Sequence, residues 1–179
     1  RDAIAADMTA TRRAYTHRRV ALALLGRSRH DPIAVAFHAR LGGEIDITAQ
    51  ALQEAASIAV GRHDVEQADQ LLSDALLLTD TAPLRSARAR VRMSRSLLSE
   101  AAEDAGAAIA LDPTAEAFEL AGWIAYYRRD YDTAYRLADA AVRRARDDGL
   151  EASALALGGR IRHSHGDLVG ADDFLTRAE

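Results

Sequence analysis

The residues able to do chemistry in this chain are few, and their spacing limits what they can do. His163, His165 and Asp167 sit together in RHSHGD. A metal ion would need their ring nitrogens to converge. On a helix, residues two apart point about 200° apart, so convergence requires the helix to unwind there. The competing reading is a polar inter-helix turn opened by Gly166. His63 and Asp64 in GRHD have the types of a catalytic dyad, but no nucleophile is marked beside them, and they too read as a turn. His17 and His38 lie on helices rich in arginine and alanine, where packing or capping is the expected role. The row LRSARARVRMSR sets Arg85, Arg88, Arg92 and Arg95 on one side of a helix and Arg90 elsewhere. The acidic run SEAAEDAG follows at once and is placed to neutralise that row across a hairpin; an anionic partner or ligand is the alternative. A nucleic-acid surface would be wider and interleaved with aromatics. No G-x-S-x-G, H-E-x-x-H or glycine-rich phosphate loop occurs. Nothing here builds an active site, and the expectation is a non-enzymatic chain that holds no metal or cofactor.

Composition points the same way. All 23 basic residues are arginine. Without lysine there is neither a P-loop lysine nor a Schiff base. There is no cysteine, so disulfides, thiolate catalysis and cysteine-based zinc sites are excluded. A reducing cytoplasm is compatible and is the expected location. No apolar run is long enough to span a bilayer. Net charge is −4, which is no footprint for nucleic acid over the whole chain. Forty alanines among 179 residues, with many leucines and arginines, make a helix former's composition, and the scarcity of β-branched and aromatic residues argues against sheet. The chain opens on Arg1 and closes on Glu179 inside a helical pattern, so it reads as a piece of something larger.

The elements that would position side chains come from a repeat. GRHDVEQADQLLSDALLL, YRRDYDTAYRLADAAV and SHGDLVGADDFLTRA each hold a turn, an aspartate, a large apolar residue and an alanine three further on. Val65, Tyr131 and Leu168 take the apolar turn position. Ala68, Ala134 and Ala171 follow three later, Leu72, Ala138 and Leu175 at seven, and Ala75, Ala141 and Ala178 at ten. A weaker copy runs Leu98, Ala101, Ala105, Ala108 and ends near Pro113. Upstream of each turn lies a small residue: Ala56, Ala89, Gly122 or Gly159. Spacings of three and four build one helix stripe. Small residues at the crossing let two helices approach, and a hairpin too small to bury its own face stacks on the next.

A helix–turn–helix unit with small and large residues at these positions resembles the tetratricopeptide repeat. Phe118, Ala121, Gly122, Tyr131, Ala134 and Ala141 fall on its motif positions, whereas Ala125 and Ala138 replace larger residues and Arg129 replaces the turn glycine. The expected fold is all-α: a right-handed tetratricopeptide-like solenoid of antiparallel helix pairs with extra N-terminal helices. The expected repeats are 49–81, 82–114, 115–151 and a truncated 152–179. Residues 1–48 stand outside the repeat as helices linking to an upstream module. There Asp31 should cap a helix, with Pro32 in its first turn and Gly42–Gly43 stopping it.

That N-terminal region is similar to a junction in large ATP-binding regulators of the LuxR family, related to the maltose-regulator type of signalling ATPase. The residues carrying the similarity are His17, Arg18, Arg19, Phe37 and His38. The resemblance implies a helical sensor segment of a transcriptional regulator, relaying a bound protein or small effector to ATPase and DNA-binding modules outside this chain. The alternative is a tetratricopeptide interaction scaffold unrelated to transcription.

The aromatics add the remaining expectation. FELAGWIAYYRRDYDTAYRLADAAV contains the sole tryptophan and four of the five tyrosines. Phe118, Tyr131 and Tyr135 have packing positions in the repeat. Trp123 and Tyr126 do not. In tetratricopeptide proteins one stripe of each first helix faces a concave groove where partners bind. Carried over by position, the stripe holds Gln53, Ser57 and Val60, then Ser86, Arg90 and Met93, then Glu119, Trp123 and Tyr126, then Arg160 and His163. Trp, Tyr and Arg are the types enriched at binding hot spots. The expected occupant is a protein, peptide or small effector, with neither nucleic acid nor membrane contacted. Packing of Trp123 within the chain and self-association remain as alternatives.

Overall fold

The computed structural model describes residues 9–167 together with Gly170, Ala171, Phe174 and Thr176. Leu168, Leu175 and Ala178 of the last repeat copy lie outside the described residues. The described residues form helices and turns without strand: α1 (Ala10–Leu25), α2 (Pro32–Leu41), α3 (Ile45–Gly61), α4 (Val65–Leu76), α5 (Ala82–Ser94), α6 (Leu98–Leu111), α7 (Ala115–Tyr127), α8 (Tyr131–Val142) and α9 (Asp148–Ser164). Two compact units divide the chain, Arg1–Asp80 with α1–α4 and Thr81–Glu179 with α5–α9.

The repeat positions locate the hairpins. Val65, Leu98 and Tyr131 are the first residues of α4, α6 and α8. Ala68, Ala101 and Ala134, and after them Ala75, Ala108 and Ala141, are fully buried, so the alanine stripe is the seam of each second helix. Ala56 and Ala89 are buried on the first helices. Gly122 is buried on α7, where an added Cβ would stand 2.8 Å from the Leu157 side chain of α9.

Each turn is built the same way. The amide of residue 64, 97 or 130 donates to the carbonyl of Ala59, Arg92 or Ala125 at 2.9–3.0 Å. The residue before it bonds three positions back. This is the Schellman pattern, which needs a left-handed residue at the turn. His63, Ser96 and Arg129 hold that place at φ 62°, 61° and 62°. Asp64 and Asp130 then cap the next helix, accepting from the Gln67 and Thr133 amides. Thus the turn–aspartate–apolar run seen in the sequence is a helix stop, a helix cap and a core peg in succession.

In the first unit, Asp31 accepts from the Ile33 amide, Pro32 opens α2 and Gly42 closes it. A Cβ on Gly42 would lie 2.8 Å from the Arg18 backbone nitrogen, so α1 and α2 cross at backbone contact there. Val35, Ala36 and Ala51 form the core, with Leu24, Ile47 and Leu52 packed against it. In the second unit one cluster joins Ala89, Ala101, Ala105, Leu120 and Ile124, and another joins Ala125, Ala134, Ala138, Leu157 and Ile161.

The arginine row has a structural partner. Asp104 on α6 is 1% exposed and accepts from Arg85 at 2.9 Å, from Arg88 at 2.7 and 2.8 Å, and from Arg92 at 2.8 Å. Three cations of α5 thus close on one carboxylate of α6. Burial pushes the Asp104 carboxyl up, but hydrogen bonds from Arg88 and Arg85 and the charges of Arg88 and Arg92 outweigh it and hold it below the usual carboxylate range.

Candidate partner-binding site

The histidines of the sequence find ordinary tasks. His63 is the left-handed turn residue before α4. His163 and His165 are exposed at the end of α9, and His165 lies edge-on to Tyr131 with ring centroids 5.7 Å apart. Asp167 is engaged by Arg162 at 2.6 Å and by the Gly170 amide at 2.9 Å. His17 and His38 meet Nδ1 to Nδ1 at 2.8 Å, so one donates to the other, and His17 also lies edge-on to Phe37. No group of three or more side chains able to hold a metal ion occurs among the described residues. No helix among them is long and apolar enough to cross a membrane.

The aromatic stretch behaves differently. α7 belongs to the second unit, between α5 and α9, and packs on both. The three helices are first helices of successive hairpins, so their free sides belong to one face of that unit. Trp123 is half-buried on α7. Its indole N–H donates to Glu119 Oε1 at 3.2 Å. Ser153 of α9 donates to the same oxygen at 2.6 Å. The Arg160 guanidinium, also from α9, stands 5.7 Å from the indole centroid. Tyr126 meets the indole edge-on at 5.9 Å and its hydroxyl pairs with Ser164 at 3.0 Å. Tyr127 stacks on the indole at 6.1 Å, with 28° between planes, and is 52% exposed.

Of the stripe expected from sequence, Glu119, Trp123, Tyr126 and Arg160 form this one connected group. His163 is exposed on the same helix as Arg160. Arg90 is exposed on α5, whereas Met93 is half-buried against the Ala89–Leu120–Ile124 cluster. Gln53 is half-buried on α3 in the first unit, and Ser57 is exposed there, donating to the Gln53 carbonyl. Tyr127, Ser153 and Ser164 were not in the expected set. Tyr127 stands four residues after Trp123, one helical turn on, so the helix period itself sets it beside the indole; the expected stripe stopped one residue short of it. The two serines give no sequence signal, because their role depends on the distance between α7 and α9.

What the group can do follows from its parts. The indole presents an apolar surface whose polar edge is already satisfied. Arg160 adds a cation beside it. Glu119 already accepts two hydrogen bonds. The patch is therefore held in one geometry before any partner arrives, which lowers the ordering cost of binding.

No protein-family model and no curated protein matches the chain. Solved structures do. MamA from Desulfovibrio magneticus RS-1 is similar at 16% identity, over 93% of this chain and 93% of that chain, with a TM-score of 0.71. The Sgt2 TPR domain from Aspergillus fumigatus is similar at 20% identity, over 66% of this chain and 82% of that chain, with a TM-score of 0.59. The APC/C hetero-tetramer Cut9–Hcn1 is similar at 15% identity, over 92% of this chain and 36% of that chain, with a TM-score of 0.61. The fold is a tetratricopeptide-like α-solenoid. Identities this low speak to fold alone, and no neighbour ties the chain to LuxR-type regulators.

Proposed function

We propose that this chain is a non-enzymatic protein-interaction module, and that the free face of α5, α7 and α9 binds a segment of a protein partner through Trp123. The observation that carries the reading is the sole tryptophan, half-buried, with its N–H held by Glu119 and its ring beside Arg160. One side of the ring packs against the Ala125–Ala134–Ala138–Leu157–Ile161 cluster, and the other lies among Tyr126, Tyr127 and Arg160, more polar and aromatic company than packing alone requires. The fold supports the reading, since the neighbours include a tetratricopeptide domain and a multi-chain assembly. The narrower expectation, a sensor arm of a LuxR-type regulator, rests on His17, Arg18, Arg19, Phe37 and His38 alone. The solved neighbours lend support to an interaction module and none to a regulator, so the plain scaffold is the better supported of the two.

The test is a peptide array probed with the full chain, followed by titration of each binder against Trp123 fluorescence. Binders should shift the emission, and Trp123→Ala or Arg160→Ala should weaken them at least tenfold. Binders that leave the emission unchanged and tolerate both substitutions would overturn the proposal.

A further inference from the structure

The first unit carries a second surface, unrelated to Trp123. Residues 9–43 hold seven arginines against a single acid, Asp31, in a chain whose net charge is −4. α1 contributes Arg12, Arg13, Arg18 and Arg19 and no acid. Of these, Arg18 is engaged by Glu44 at 2.7 Å. One side of α1 packs on α2, with Ala21 buried and Leu24 on the core. The opposite side is apolar yet open: Tyr15 is 59% exposed and Leu22 49%. A hollow of about 310 Å³ lies on that open side, lined by Tyr15, Thr16, Arg19, Val20 and Ala23.

The spacing in this hollow fits a side chain from a facing helix. Thr16, Arg19, Val20 and Ala23 stand at i, i+3, i+4 and i+7. Four residues so placed form the hole that receives one side chain of a facing helix in knobs-into-holes packing. Ala23 keeps the floor low, and the Thr16 hydroxyl is already bound to the Arg12 carbonyl at 2.9 Å. Arg19 forms one side of the hole and Arg12 stands two turns before it on the same side of the helix, and charges beside such a hole select a partner helix by sign. A membrane surface would suit arginines ringed around a continuous apolar face, but here they interleave with the apolar residues along one stripe.

We propose that the outward face of α1 docks a single amphipathic helix of a partner protein, which places an apolar side chain in the Thr16–Arg19–Val20–Ala23 hole and carries Glu or Asp on either side of its apolar stripe.

The test uses the full chain and two labelled helical peptides, both with leucine at a and d, one with glutamate and one with lysine at e and g. Fluorescence anisotropy should show the glutamate peptide binding, more weakly as salt rises, and the lysine peptide not binding. The double variant Arg12→Glu/Arg19→Glu should reverse that preference. Ala23→Leu should fill the hole and weaken the glutamate peptide at least tenfold without changing any charge, whereas Trp123→Ala should leave it unchanged. Equal binding of both peptides would overturn the proposal. So would indifference to Ala23→Leu, which would reduce the interaction to unspecific polyanion attraction. Vesicles rich in phosphatidylserine that bind through Arg12 and Arg19, with the glutamate peptide silent, would overturn it in favour of a lipid surface. Circular dichroism should read the same for Arg12→Glu/Arg19→Glu and Ala23→Leu, since these three positions are exposed.

Discussion

Asp104→Asn is the substitution whose consequence the structure determines most closely. The asparagine has the same shape but has lost the charge, and it turns an N–H₂ toward arginine donors. Four hydrogen bonds from three guanidinium groups converge on the native carboxylate. Removing one partner of a buried ion pair costs about 3–5 kcal/mol. The Arg85, Arg88 and Arg92 side chains keep 13–26% exposure, so water relieves part of the loss and the lower end, about 3 kcal/mol, is expected. For a chain of this size that corresponds to roughly 6–12 °C in Tm. Asp139→Asn is the control: its pair with Arg143 is exposed and i,i+4, worth at most about 0.5 kcal/mol. The pH dependence is a second reading of the same contact. Arginine contacts outweigh burial and lower the folded-state pKa of Asp104. Its contribution is therefore fully present above the unfolded value of about 3.9 and is lost as pH falls through the folded value. Urea unfolding at a series of pH values should show the native chain well above Asp104→Asn at pH 7, with the gap narrowing below roughly pH 4. A gap under about 1 kcal/mol at neutral pH, or one that persists unchanged into acid, would refute the reasoning.

Arg129→Gly should raise stability by roughly 0.5–1 kcal/mol in thermal melts, because the turn holds a non-glycine residue at φ 62° where the left-handed conformation costs about 1–2 kcal/mol. Gly42→Ala should cost about 1–3 kcal/mol, since its Cβ would meet the Arg18 backbone at 2.8 Å and push α1 from α2; an unchanged denaturation midpoint would contradict that crossing. Trp123 emission should lie between the buried and solvated limits and be partly quenched by acrylamide, and Arg160→Ala should raise the quenching constant with the far-ultraviolet spectrum unchanged. A blue-shifted, unquenchable signal would make Trp123 a core residue.

The hairpins were legible because they rest on local rules. Val65, Leu98 and Tyr131 mark helix starts through a turn, a cap and a peg that lie within a few residues of one another, and the alanines at three, seven and ten share a face by helix period alone. The candidate site was legible only to the extent that it follows one stripe of one helix. Glu119, Trp123 and Tyr126 were found that way, since Glu119 and Trp123 are one helical turn apart on α7. Met93 on α5 and Tyr126 on α7 hold equivalent positions, and both are half-buried against the clusters beneath them, so the stripe alone does not tell a packing side chain from a binding one. The arginine row shows the limit from the other direction. Its periodicity and the acidic run after it implied a cross-hairpin pairing, and of the three acids in SEAAEDAG the helix period sets Asp104 beside the buried Ala101–Ala105–Ala108 seam while Glu100 and Glu103 are exposed; which arginines reach it depends on the axial offset between α5 and α6. Periodicity assigns a residue to a face; the depth at which the neighbouring helix crosses decides whether that face holds a buried anchor, a packed thioether or a surface where another protein can land.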